Sequence, residues 1–198
     1  MVIRKNLKKK FALISVFDKK NLKYLCANLR QYDYNFISSG TTGKIIRKMG
    51  FKCLDISKVT KFKEMFDGRI KTLNPLVYSS LLYIRNNEEH KKQFLSLKIP
   101  EIDIVVVNLY PFGKNLSKKK RAEIIEFIDI GGPTLLRAAS KNFEYITPIM
   151  NIKDYPSLIK NLEKNNGITE ISFRKKMAGK IFKEISKYDN IISKWFNV

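Results

Sequence analysis

An α/β fold built on a mainly parallel sheet is the class the sequence predicts, on three observations. Short, strongly apolar runs alternate with segments whose apolar residues recur at helical spacing. The loops that follow several of these runs are rich in glycine and small polar residues. No Pro-, Gly- or Ser-rich linker divides the 198 residues, which fits one domain. Strands alternating with helices imply parallel pairing, with helices covering both faces of the sheet.

The elements follow in order. "KFALISVF" reads as the first strand, and "DKKNLKYLCANLRQY" as a helix because Leu22, Leu25, Cys26 and Leu29 fall on one face. "YNFISSG" is a second strand ending in small polar residues, and "TTGKIIRKMG" a short helix closed by Gly50. "FKCLDIS" reads as a third strand, and "EIDIVVVNLYPF" as a later, strongly apolar one that stops at Pro111. Beyond about Ser157 only "ITEISF" hints at a strand. "RKKMAGKIFKEISKYDNIISKWF" sets Met177, Ile181, Ile185, Tyr188 and Ile192 on one face of a long amphipathic helix. The expected organisation is a core over 1–150 and a helical C-terminal extension of the same domain over 151–198.

Composition narrows the function classes. Hydrophobic residues at 44% and aromatics at 12% are enough for a sizeable core, which sets the disordered class aside. No apolar run approaches the ~18 residues of a membrane span, and the start carries no signal-peptide cleavage pattern, so no membrane is expected and the cytoplasm is the expected location. Cys26 and Cys53 have no ligand partners near them in sequence and read as reduced core residues, and no metal is expected. The 39 Lys+Arg against 18 Asp+Glu give a formal +21, a surplus that attracts polyanions. It is scattered through "KNLKKK", "KKNLK", "KVTKFKE", "KKK", "IKNLEKNN" and "FRKKMAGK", without interleaved aromatics. Solvated surface lysine is therefore preferred over a nucleic-acid face, and an anionic small substrate also gains from the field.

Four loops are candidates for ligand binding, since such loops gather at the carboxyl ends of the strands. In "SVFDKKN" Asp18 either caps the next helix or faces a ligand. "SSGTTG" offers hydroxyls, backbone N–H groups and a helix N-terminus to a phosphate. "DGRIKTLNP" sets Arg69, Lys71 and Thr72 along an extended segment. If it is a strand, residues 69 and 71 point the same way and grip one anion; otherwise it is a solvated edge. "FIDIGGPTLLRAASK" places Asp129 ahead of two glycines and a helix that starts near Pro133, with Arg137 and Lys141 four apart on one face.

"ALISVFDKKNL", "ISSGTTG", "FKEMFDGRIKTLNP", "VVVNLYPF", "IDIGGPTLLRAASKN" and "KYDNII" occur in the order and spacing of the IMP cyclohydrolase family, and nearly the whole chain resembles it. That family is the N-terminal half of bifunctional purine biosynthesis proteins, with a methylglyoxal-synthase-like three-layer fold. The resemblance implies closure of 5-formamido-imidazole-4-carboxamide ribonucleotide (FAICAR) to inosine monophosphate (IMP) with loss of water, without metal or cofactor. It implies Lys141 as proton donor and acceptor, with Lys71 as a cationic neighbour that lowers its pKa. Asp129 and the Ile130 backbone would contact the heterocycle, and Tyr110 and Asn108, with Val107 beside them, would position the formyl and carboxamide groups. Phe17, Asp18 and Lys19, with Ser39, Gly40, Thr41 and Thr42 and with Arg69, Ile70, Lys71 and Thr72, would hold the ribose and 5′-phosphate.

Four positions depart from the family pattern: Phe17 replaces a serine, Thr41 a glycine, Asn74 a histidine, and "YSS" at 78–80 a small-residue stretch. If the phosphate turn needs positive φ at Thr41, that residue is strained. The family's formyltransferase domain has no counterpart in this sequence, so no formyl transfer is expected from it; either the chain is a stand-alone cyclohydrolase, or that domain is cut away or encoded separately, in which case a separate AICAR formyltransferase is a partner. The family's homodimer is a further expectation. The competing readings are a nucleotide-binding regulatory or decayed relative without turnover, and a basic nucleic-acid-binding module.

Overall fold

The computed structural model describes residues 9–113 and 120–197. The basic run at 5–10 and the lysine run at 118–120 lie mostly outside the described residues. Five strands, β1 (Lys10–Val16), β2 (Tyr34–Ser38), β3 (Cys53–Asp55), β4 (Ile102–Asn108) and β5 (Thr147–Ile149), form one sheet in the order β3-β2-β1-β4-β5. Every pairing between these strands is parallel. The chain winds outward from β1 to β3 and then returns to the other side of β1 at β4. The carboxyl ends of β1 and β4 are therefore a topological switch point, where connections leave in opposite directions and a crevice opens.

The α-helices among the described residues are α1 (Leu22–Gln31), α2 (Gly40–Lys48), α3 (Ile56–Thr60), α4 (Pro75–Leu82), α5 (Glu88–Ser96), α6 (Arg121–Ile125), α7 (Gly131–Lys141), α8 (Tyr155–Lys164) and α9 (Ile171–Trp195). On one face of the sheet, Leu25, Leu29, Ile46 and Leu158 of α1, α2 and α8 pack on Ile14 and Val106. On the other, Val77, Leu81, Leu135 and Ala139 of α4 and α7 pack on Leu13 and Val105. This two-sided cover is why β1 and β4 read as continuous apolar runs rather than alternating ones.

The last helix joins the layers. Met177 enters the first core, Ile181 and Ile185 the second, and Tyr188 a third, smaller one with Phe112 and Ile124. A buried aliphatic of this size contributes about 1.5–3 kcal/mol, so α9 is held along its length. Its first turn absorbs "ITEISF", which is helical from Ile171 rather than a strand. The stripe through Phe173, Met177 and Ile181 outweighs three residues of strand-like alternation.

The segment around Arg69 also differs from its expectation. Phe66, Asp67 and Gly68 have φ of 54°, 53° and 86°, and Met65 and Ile70 exchange backbone hydrogen bonds of 3.0 and 3.2 Å. It is a tight turn closed by an isolated antiparallel bridge, not an extended strand. Strain at Thr41 is not realised either, because the positive φ of the phosphate turn, 51°, falls on Gly40. Asn74 caps α4, accepting from Leu76 N–H at 3.0 Å, and Ser80 accepts from Ile102 N–H at 3.0 Å while donating to Pro100 C=O at 2.7 Å.

At the amino end of β4, opposite the crevice, Arg85 bridges Glu101 and Asp103 at 2.9 Å each and donates to the Ile102 carbonyl at 2.8 Å. Asp103 also accepts from Phe11 N–H at 3.0 Å. Burial pushes the Asp103 carboxyl above its usual range, with Arg85 pulling the other way. Cys26 is buried, Cys53 is partly buried, and both are free thiols.

Candidate functional site

The switch point is assembled by one amide. Asn108, the last residue of β4, accepts from the backbone N–H of Phe17 at 2.6 Å and of Asp18 at 2.9 Å, and donates to the Asp18 carbonyl at 3.1 Å. Its side chain is thus spent on fixing the loop after β1, so Asn108 is a positioning residue rather than a free ligand group. Asp18 makes a local turn, accepting from Lys20 N–H at 2.8 Å, while α1 is entered at Asn21 without a side-chain cap. Lys19 folds back onto the carbonyls of Val16 and Phe17. Burial lowers its pKa; Asp18 opposes that shift and Lys71 adds to it.

The second loop opens α2. Thr42 is buried with its hydroxyl on β1, donating to the Val16 carbonyl at 2.9 Å and accepting from Val16 N–H at 3.3 Å. Thr42 therefore anchors the loop, leaving Ser39, Gly40 and Thr41 at the helix N-terminus, a favourable place for an anion. The ammonium of Lys71 lies 3.9 Å from where a Cβ on Gly40 would stand and 3.8 Å from one on Gly68. The third loop thus delivers a cation directly beside the second.

The fourth loop closes on the third. A Cβ on Gly131 would stand 2.8 Å from the Thr72 hydroxyl, and one on Gly132 would stand 2.6 Å from the Asp129 carboxylate and 2.7 Å from Leu109. A side chain at Gly131 would displace the Thr72 hydroxyl, and one at Gly132 the Asp129 carboxylate and Leu109. Asp129 accepts from Gly132 N–H at 2.8 Å. Burial raises its pKa, against the Gly132 N–H and the charge of Lys71, which lower it. A carboxylate, an ammonium and a helix N-terminus are thereby gathered at the carboxyl ends of β1, β2 and β4.

Tyr110 stands at the mouth, 39% exposed, with its ring 4.8 Å from that of Phe17 and 6.1 Å from that of Phe127. Beside it a cleft of about 830 Å3 continues between Lys19, Met150, Asn151 and α9. Ile130 is exposed next to Asp129.

Three of the residues that the sequence puts forward for the site do not join this cluster through their side chains. Val107 is 1% exposed and faces the core between β4 and α7, so only its backbone reaches the crevice edge. Arg69 is exposed and pairs in a fork with Glu126. Lys141 is exposed in the last turn of α7. That helix starts at the site and runs back along the sheet for 11 residues, about 16 Å, so within one chain Lys141 lies at the opposite end from Asp129. Its neighbour on that face, Arg137, sits over the Phe182 ring at 5.4 Å.

Spacing alone makes Tyr188 a core residue and nothing more. Its hydroxyl accepts from Asp129 N–H at 2.8 Å and donates to the Phe127 carbonyl at 3.1 Å. A tyrosine between Ile185 and Ile192 in the stripe is the available signal, because a buried hydroxyl needs partners. No group of metal-ligating side chains occurs among the described residues, and none of the described helices is long and apolar enough to cross a membrane.

The family model for the MGS-like domain matches residues 21–134, more than half of the chain. The chain belongs to the MGS-like domain family. The model of the AICARFT/IMPCHase bienzyme matches residues 139–198, so it begins where the MGS-like match has just ended. The Bifunctional purine biosynthesis protein PurH of Clostridium botulinum (strain Hall) is 48% identical over 185 residues, covering 93% of this chain and 37% of that protein. The protein of that name from Clostridium perfringens (strain SM101) is 47% identical over 189 residues, with the same coverage. The MGS-like chain therefore spans little more than a third of the length of these curated relatives. A solved structure described as the crystal structure of ForH superposes with a TM-score of 0.86 at 29% identity, covering 95% of this chain and 97% of that one. The MGS-like sheet and its helices on both sides are what that neighbour shares.

Proposed function

We propose that this chain is an IMP cyclohydrolase, an enzyme of purine biosynthesis that closes FAICAR to IMP and releases water. The observation that carries the reading is the convergence of Asp129, Lys71 and the α2 N-terminus at the switch point, in a chain similar to the PurH proteins along 93% of its length. A 5′-phosphate suits the N–H groups of Ser39 to Thr41 with Lys71 beside them, and the crevice beyond, walled by Phe17 and Tyr110, suits a flat heterocycle.

The chemistry needs a folded substrate and the removal of one proton from each of two nitrogens as the departing oxygen gains two. The carboxamide nitrogen attacks the formyl carbon; the C–N bond forms as the N–H proton leaves and the formyl oxygen gains a proton. That hydroxyl then takes a second proton and departs as water, while the former formamido nitrogen loses its N–H proton and the C=N double bond forms. Asp129 is the group to receive the amide proton, since burial raises its basicity while Gly132 N–H fixes its direction. Lys71 and the Tyr110 hydroxyl are the groups to stabilise and protonate the oxygen. Holding both reacting arms in one crevice supplies the proximity term. Lys141 takes part only where a second chain presents it, because its own helix carries it away from the reacting atoms.

The test is ultraviolet-monitored conversion of FAICAR, with the product identified by mass spectrometry. Conversion by the wild type and its loss in Asp129→Asn support the reading. No conversion above the spontaneous rate, with IMP still bound, would instead leave a nucleotide-binding relative without turnover.

A further inference from the structure

The cluster is completed from the far end of the chain. Asp129 makes two local contacts that set where its carboxylate points: its side chain accepts from Gly132 N–H, and its backbone N–H donates to Tyr188 Oη. Tyr188 is 8% exposed, and its hydroxyl also donates to the Phe127 carbonyl at 3.1 Å, so one oxygen pins the chain on both sides of Ile128. The ring is itself fixed, edge-on to Phe112 at 6.5 Å and in a core with Ile124. Phe127 in turn packs its ring against Tyr110. The hydroxyl thus touches the two backbone positions from which Asp129 and the support of Tyr110 project, while touching neither side chain.

We infer that Tyr188 is a positioning residue for ring closure, its hydroxyl holding the 127–129 backbone so that Asp129 and Tyr110 face the same substrate. The inference rests on the cyclohydrolase reading and goes beyond it, because it makes α9 part of the site. Two bonded groups lose their partner together when the oxygen is removed, while the ring keeps its packing, so the fold is kept at a modest cost in stability and the orientation of the loop is lost.

The test is Tyr188→Phe. The expected result is a kcat lowered about tenfold, the worth of one to two hydrogen bonds, with KM for FAICAR within about twofold and a melting temperature lowered by only about 2–8 °C, the protein remaining folded. In an Asp129→Asn background the same substitution lowers kcat by less than it does in the wild type, since of the two groups it positions only Tyr110 remains. Amide hydrogen exchange at Asp129 rises in Tyr188→Phe whether or not the chain turns over. An unchanged kcat, or an equal further loss in the Asp129→Asn background, overturns the inference. A wild type without turnover sinks the cyclohydrolase reading instead. Tyr188 is then judged by exchange at Asp129 and by IMP affinity, and the inference falls if Tyr188→Phe leaves both as in the wild type.

Discussion

Gly132→Ala is the sharpest perturbation of the site, because the structure states what the new methyl group would meet. It would stand 2.6 Å from one carboxylate oxygen of Asp129 and 2.7 Å from a methyl of Leu109. Ordinary carbon contacts lie at about 3.5–4.0 Å, so the neighbours must separate by close to 1 Å in total. Overpacking of this kind costs about 1–3 kcal/mol, and the helix-propensity gain of alanine over glycine returns at most about 1 kcal/mol. The net destabilisation is about 1–2 kcal/mol, or a fall in Tm of about 2–8 °C for a domain of this size. The activity change is larger, because the carboxylate is the group displaced, and a misplacement near 1 Å can cost about a hundredfold in rate. Thermal melts by circular dichroism and the ultraviolet ring-closure assay read the two effects side by side. A variant with wild-type kcat and Tm would refute the close approach of Gly132 to Asp129, and with it the claim that this glycine sets the carboxylate.

The remaining predictions concern charge. Asp129 must be ionised to accept a proton, so activity is present above its pKa and lost as pH falls through it; because burial raises that pKa, the acidic limb of kcat/KM lies above the ordinary ~3.9. Lys71→Met removes a charge that lowers the pKa and moves the limb further up, whereas a limb at the ordinary value in the wild type would contradict the burial argument. Lys141→Ala keeps kcat within about twofold wherever the chain is monomeric. If activity is instead lost, mixing that variant with Asp129→Asn chains and recovering turnover would show one chain completing another, and no recovery would place Lys141 in its own chain's chemistry against the geometry. Arg85→Met removes the guanidinium from between the Glu101 and Asp103 carboxylates and lowers stability by about 3 kcal/mol, read by urea titration, with IMP affinity unchanged in the variant that remains folded.

Much of the architecture is legible in the sequence. β1 and β4 announce themselves as apolar runs because both faces are covered, and α9 does so because its stripe continues through most of its 25 residues. β5 escapes such a reading because it is three residues long and carries Pro148, which is tolerated at this edge of the sheet but signals a break in sequence. The turn at 66–68 is only half announced: Asp67-Gly68 signals a turn, but a positive φ at Phe66 has no sequence signature, and it is easy to read Arg69 and Lys71 beyond it as strand neighbours. Lys141 illustrates the limit of spacing arguments. The i, i+4 rule places it correctly on the face of Arg137, yet the direction of α7, which leads away from the loop that starts it, decides that it stands far from Asp129. Periodicity puts Tyr188 on the right face for its ring, while the bonds of its hydroxyl depend on a loop 59 residues earlier in the chain, which no periodicity reveals.

The attachment of the Asp129 loop to α9 also sets an order of assembly. The groups that would hold the phosphate, from the loop after β1 to Lys71, lie within the first 72 residues, and Asn108 of β4 fixes the first of their loops. The half that would handle the heterocycle waits for residues 187–195 to dock. A chain emerging from synthesis could thus grip an anion before it could perform chemistry on it, and reactivity would be the last property this molecule acquires as it folds.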